Sequence, residues 1–386
     1  MTKPGTGPLS APLAVLDAAA RSAVEPVPAS PPSVWSVLVE QVRCLHPAYF
    51  SMAMATGIVS IAAHLTGMEL FGRLLVGLNV VIYAILAMMT LARICFFPWS
   101  FLQDLSDHNR GVGFFTTVAG TAVVGSQFVI LFGAVGIGKV FWAVAAALWL
   151  VFNYAVFAAF TIKEYKPSLA EGIHSGWLVG VVATQSVSLL GAQLLPAFPG
   201  DSGRIQMFIS LVLWLCGGML YIWMISLIFY RYTFFRLSPK DLMAHYWINM
   251  GAMAISTLAG TLLIKNSAGI PLLEAMVPFM KGFTLFYWAT ATWWIPMLVI
   301  LAVWRHGYKK LKPKYDPLYW GMVFPLGMYT ACTFRLAQVT NLDFIFWIPR
   351  YFVFIAIAAW LLTFLGYLRA VTTLFVHRNP SQGGVA

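Results

Sequence analysis

The chain has 386 residues, of which 60% are hydrophobic and 10% charged, with a mean hydropathy of +0.80. A soluble globular chain carries about 25% charged residues, so a water-facing fold is excluded. The formal charge of +11 does not point to nucleic acid, because the Lys and Arg residues are sorted by loop rather than gathered in one patch.

Residues 1–45 read as a flexible cytoplasmic tail whose first 33 residues are rich in Pro, Ala and Ser, with an apolar run that Asp17 interrupts and that therefore makes a poor signal-peptide core. Ten apolar stretches follow, at 47–66, 73–95, 112–133, 139–161, 176–195, 205–229, 246–264, 277–304, 317–338 and 344–369. About 20 apolar residues cross a bilayer as a helix, so residues 46–370 form one all-α integral membrane domain. Residues 371–386 make a short cytoplasmic tail. Pro47 opens the first span and Pro325 lies inside the ninth; membrane helices tolerate proline where neighbours satisfy the freed carbonyl.

Seventeen of the 24 Lys and Arg residues lie before the first span, after the last, or in every second loop. Six lie at the opposite ends, and Arg335 is left inside the ninth span. Cytoplasmic loops hold the Lys/Arg excess, so both termini are expected in the cytoplasm of an inner-membrane protein. None of the 13 acidic residues falls in the middle of a span. Buried carboxylates usually carry protons or bind cations, so any route through this chain suits anions.

Odd and even spans differ in texture. Thr56 and Gly57 in the first, Thr117 and Gly120 in the third, Thr184 and Ser188 in the fifth, and Ser256 and Gly260 in the seventh break up the apolar runs. The fourth and tenth are nearly free of such breaks. Small and hydroxyl residues suit helices that line a wet lumen or pack closely, whereas Leu, Ile, Val and Phe suit lipid. An inner ring of five odd helices, each backed by an even partner, accounts for the pattern. The eight named residues are the candidate pore lining, with close helix packing as the competing reading.

In the ninth span Pro325 cannot donate to the carbonyl of Gly321, and the resulting kink can aim Phe324 inward. A phenyl ring there closes a narrow lumen by bulk and by excluding water. Arg335 lies about three turns further out, where it either attracts anions or snorkels to headgroups; Lys265 and Lys281 snorkel on the same side. His64 is an isolated candidate for titration near neutral pH. The basic run from Arg305 to Lys314 is accounted for by the positive-inside pattern. The four cysteines, Cys44, Cys95, Cys216 and Cys332, lack metal or redox spacing. With no phosphate loop, metal cluster or nucleophile elbow, no enzyme activity, metal or cofactor is expected.

The opening of the first span, His46-Pro47-Ala48-Tyr49-Phe50-Ser51-Met52-Ala53-Met54-Ala55-Thr56-Gly57, resembles the aromatic-x-x-x-Met-x-Thr-Gly signature of the tellurite-resistance/dicarboxylate transporter family, related to plant slow anion channels. Trp320-Gly321-Met322-Val323-Phe324-Pro325 resembles that family's Phe-Pro segment. The resemblance implies ten transmembrane helices as five hairpins in quasi-fivefold arrangement around a central pore, assembled as a homotrimer, with Phe324 occluding each pore. It also implies small inorganic or organic anions as substrates. Two modes stay open: a passive anion channel, or a proton-coupled carrier or exporter of a C4-dicarboxylate such as malate, or of sulfite. No inverted duplication relates residues 46–200 to 205–370.

Overall fold

The computed structural model describes residues 34–239, 241–311 and 315–376, and every regular element among them is helical. The tail residues 1–33 and 377–386, and Lys312 and Lys314 of the basic run, lie outside the described residues. The stretch before the first span is not all tail: α1 (Val34–Arg43) is an amphipathic helix whose Trp35 and Leu38 are exposed. Arg93 holds its end, donating to the carbonyls of Arg43 and Leu45.

Five pairs of helices follow. They are α2 (Ser51–Leu65) with α3 (Glu69–Phe96), α5 (Phe115–Phe132) with α6 (Val135–Ile162), and α7 (Val179–Leu194) with α8 (Gly200–Phe234). Then come α9 (Ile248–Lys265) with α10 (Pro271–Val303), and α11 (Trp320–Thr340) with α12 (Trp347–Val376). A short helix, α4 (Pro98–Leu105), joins the first two pairs.

Nine helices among the described residues are long and apolar enough to cross a membrane. The helix at the expected ninth span, α11, is not among them. Thr330, Thr333, Arg335, Gln338 and Thr340 crowd its second half, and such a composition is tolerated where α2, α9 and α12 enclose the helix.

The alternation in texture reappears as an alternation in burial. The spans built on α2, α5, α7 and α9 are 83–94% buried, and those built on α3, α6, α8, α10 and α12 only 22–44%. Contacts between the first members of the pairs run α2–α5–α7–α9–α11 and return from α11 to α2. Glycines set the spacing: a Cβ on Gly251 of α9 would stand 2.6 Å from Cγ of Pro325 on α11. On the next flank, a Cβ on Gly327 of α11 would stand 2.9 Å from Cγ2 of Ile58 on α2.

Each outer helix is also tied to the inner helix of the next pair by an aromatic hydrogen bond. Tyr83 of α3 pairs with Thr121 of α5 at 2.8 Å, and Trp149 of α6 donates to Thr184 of α7 at 2.8 Å. Trp214 of α8 donates to the Ser256 carbonyl of α9 at 2.8 Å, and Trp288 of α10 to Thr333 of α11 at 2.9 Å. Trp360 of α12 donates to Thr56 of α2 at 3.0 Å and so links the two ends of the chain. In apolar surroundings such bonds contribute on average about 0.6 kcal/mol each.

Candidate functional site

Each inner helix begins as a 3₁₀ turn that runs directly into the α-helix: Pro47–Phe50, Gly111–Phe114, Ser175–Leu178, Ala244–Trp247 and Pro317–Tyr319. A helix start leaves N–H groups without intrahelical partners, and side chains cap several of them. His46 Nδ1 accepts from the Ala48 N–H and His174 Nδ1 from the Gly176 N–H, both at 3.1 Å. Asp316 accepts from the Leu318 N–H at 2.8 Å. All five turns border one cavity of about 130 Å³. Its walls include His46 and Ser51, Asn109 and Thr116, His174 and Gly176, Met243 and His245, and Leu318 and Gly321. Aligned peptide dipoles give each of these ends partial positive charge, a setting that suits anions.

Charged groups behind the cavity are paired. Asp104 of α4 takes two arginines: Arg93 at 2.8 Å and Arg110 through two bonds of 2.7 and 2.9 Å. Its carboxylate is thus offset by two guanidinium groups. Burial pushes the His46 imidazole down to about 4, with the nearby Arg110 charge adding to the effect. Burial likewise pushes His174 down to about 4, with Arg231 next in importance. Both caps are therefore neutral at physiological pH. His174 Nδ1 also lies 3.2 Å from His245 Nε2.

Phe324 is 1% exposed and sits one helical turn beyond Gly321, a residue of the cavity wall. Its neighbours on α11 fix its direction. Pro325 packs on Gly251 of α9 and Gly327 on Ile58 of α2. Tyr329 and Thr333 bond Thr292 and Trp288 of the outer helix α10. At 3.6 residues per turn, Phe324 lies about 140° and 180° from Tyr329 and Thr333.

The other residues singled out in the sequence fall into two groups. Thr56 and Thr184 accept from outer-helix tryptophans, and Ser188 donates to the Ser210 carbonyl of α8 at 2.6 Å. Gly260 stands against Thr284 of α10 and Trp214 of α8, so these four serve contacts with outer helices, whereas Gly57 stands against both Val123 of the inner helix α5 and Asn79 of α3. Ser256 returns its hydroxyl to the Ala252 carbonyl, and Gly120 packs on Phe50. Thr117 borders a small recess beside His46 and Arg93. At the far end Arg335 donates to Gln338 at 2.9 Å and lines an open cavity of about 440 Å³ with Lys265.

The structure thus places Phe324 one helical turn beyond the wall of a cavity whose histidines the sequence reading left out. One signal was available: His46 and His174 each directly precede an odd span's 3₁₀ turn, and His245 lies in another.

Residues 44–368 match the voltage-dependent anion channel family. An uncharacterized transporter of Methanocaldococcus jannaschii is 23% identical over 337 residues, covering 86% of this chain and 96% of its own. A sulfite efflux pump of Arthroderma benhamiae is 22% identical over 342 residues, covering 83% and 88% respectively. An uncharacterized membrane protein of Mycobacterium tuberculosis is 34% identical over 166 residues, 43% of this chain and 84% of its own.

Proposed function

Because this chain belongs to the voltage-dependent anion channel family, we propose that it carries small anions across the cytoplasmic (inner) membrane through a pore enclosed by the five inner helices and occluded by Phe324. The observation that carries this reading is the meeting of five helix N-termini at one cavity, with a buried phenylalanine one turn deeper. The partial charges of the turns favour an anion at that mouth. The phenyl ring points away from α10 and between the flanks that touch α9 and α2, which is the direction of the enclosed axis. An apolar plug at a narrow point stops conduction by bulk and by dewetting.

The five pairs form a quasi-fivefold arrangement, and the cavity is its cytoplasmic mouth, following the sorting of Lys and Arg residues. Tryptophans such as Trp223 and Trp293, more than half exposed on the outer helices, suit cover by lipid or by neighbouring subunits of a homotrimer. Arg335 and Lys265 draw anions to the opposite mouth. Sulfite is the organising candidate for substrate, from the named activity of the Arthroderma benhamiae relative; a C4-dicarboxylate carrier is the second reading. No catalytic role is proposed.

The test is chloride current through purified protein in planar bilayers, wild type beside Phe324→Ala. An increase of at least about tenfold, with a reversal potential that tracks the anion gradient, is expected for an apolar plug. Equal currents from the two proteins would sink the occlusion. Absence of current from both would replace the channel with a carrier, to be assayed with labelled sulfite and malate.

A further inference from the structure

The short helix α4 is turned inside out. Its carboxylate, Asp104, faces the protein and is buried against Arg93 and Arg110, whereas Trp99 is 71% exposed and Leu102 is exposed too. Only its Phe101 ring reaches inward to another ring, Phe114, with centroids 4.8 Å apart. A helix in water does the reverse, turning carboxylates outward and large apolar side chains in. The same holds for α1, where Trp35 is 75% exposed and Leu38 and Val39 are exposed beside it. At 3.6 residues per turn, Trp35, Leu38, Val39 and Val42 fall within an arc of about 100°, and Ser36, Glu40 and Arg43 share another.

One guanidinium holds the two helices together. Arg93 donates to the carbonyls of Arg43 and Leu45 at the end of α1, to the Ser100 carbonyl of α4 at 3.3 Å and to Asp104 at 2.8 Å. Their connections put both at the membrane surface. The outer helix α3 has 28 residues, about 42 Å at 1.5 Å per residue, which exceeds a hydrocarbon core of about 30 Å. Pro98 cannot continue α3 and opens α4 after a single residue, Phe97. At the end of α1, His46 is extended, as a residue before proline usually is. From Leu91 to Leu102 the chain exposes Leu91, Ile94, Phe96, Trp99 and Leu102 while burying its one charged residue, Arg93. The lipid-facing surface of α3 thus runs on into α4 without a charged break.

We propose that α1 and α4 form a collar lying in the bilayer surface on the side of the 3₁₀ turns, with Trp35, Leu38, Trp99 and Leu102 seated in the acyl–headgroup boundary of that leaflet. Phospholipid is the partner this face fits. It is apolar, it continues a surface that already meets lipid, and it carries tryptophan, whose amphipathic ring suits the boundary. The polar arc of α1, with Arg43 and Glu40 3.8 Å apart, is left to headgroups and water. Through Arg93 the collar also fixes Leu45, the residue before His46 of the cavity wall. The leaflet thereby sets the depth of the first turn in the ring.

The test is the collision accessibility of nitroxide labels on the full chain in phospholipid vesicles. Oxygen, which concentrates in lipid, is compared with a water-soluble nickel chelate. Labels are placed on Trp35→Cys, Trp99→Cys and Glu40→Cys, each in a background with Cys44, Cys95 and Cys216 replaced by alanine; Cys332 is buried. The labels at positions 35 and 99 are expected about 5–10 Å below the headgroup boundary, and the label at position 40 in water. Preferential collision with nickel at position 35 or 99 would overturn the collar. Shielding from both reagents there would overturn it as well, by showing protein, such as a second copy of this chain, on the face assigned to lipid. Leu38→Cys and Leu102→Cys, on the same two faces, answer the question if a tryptophan variant does not fold.

Discussion

The two ends of the helix bundle are built by different physics. Where the five 3₁₀ turns meet, three side-chain caps, a guanidinium–carboxylate–guanidinium cluster and a pair of histidines stand at and behind a cavity of about 130 Å³. At the other end, Arg335 and Lys265 rim an open space of about 440 Å³, and Arg335 donates to its neighbour Gln338. Fixed dipoles in a small space discriminate between ligands because they need no reorganisation. Mobile charges in an open one only raise local concentration, and salt screens them. On the proposed anion-transport reading, selectivity belongs to the end with the fixed dipoles and the collection of anions to the other.

The comparison breaks most visibly at Asp104. Asp104→Ala leaves Arg93, whose side chain is 4% exposed, without its carboxylate; breaking a buried pair costs about 3–5 kcal/mol. A fall in thermal midpoint large enough to cut the yield of folded, detergent-solubilised protein is expected. A midpoint near that of the wild type would show the cluster to be well hydrated.

Acid should weaken the same end next. The folded-state values of His46 and His174 lie near 4, below the ordinary value of 6.5, so the unfolded chain binds more protons between those limits. Stability is full above about pH 6.5 and falls towards pH 4, by up to about 1.4 kcal/mol per histidine for each pH unit. Thermal midpoints measured at pH 7, 6 and 5 in one detergent check this, and a flat series would contradict neutral caps.

Thr184→Val sharpens the distinction between packing and pore. It removes the acceptor of Trp149, and a loss of about 0.6 kcal/mol, at most about 1.7, is expected. Anion conductance should stay within about twofold of the wild type; a larger change in selectivity than in stability would return Thr184 to the lumen.

Smallest of all is Arg335→Gln. With its head group in an open cavity, it should alter stability by less than about 0.5 kcal/mol. It should lower conductance at low ionic strength and leave it nearly unchanged near 1 M salt, where the screening length is about 3 Å. A deficit that persists in high salt would make Arg335 part of a built site.

The sequence alone was enough to read the membrane class and the positions of the apolar helices. Those follow from segment length, hydropathy and charge, which are local properties. It also made the odd helices distinct from the even ones, because a helix enclosed on all sides can carry threonine and glycine where a lipid-facing one cannot. Phe324 stood out for a similar reason, lying beside a proline in a family motif.

What each hydroxyl faces was not legible. A helix buried all round has no apolar stripe to reveal its orientation, so Thr56, Thr184 and Ser188 looked alike whether they met water or tryptophan. The cavity histidines were hidden differently. His174 and His245 are 71 residues apart and become a pair only when two 3₁₀ turns meet. Asp104 likewise reads as one more loop carboxylate until Arg93 and Arg110 close on it. Periodicity and composition determine which segments enter the bilayer; the close approach of side chains from different segments, set by glycine contacts and cap geometry, was decided by the tertiary structure alone.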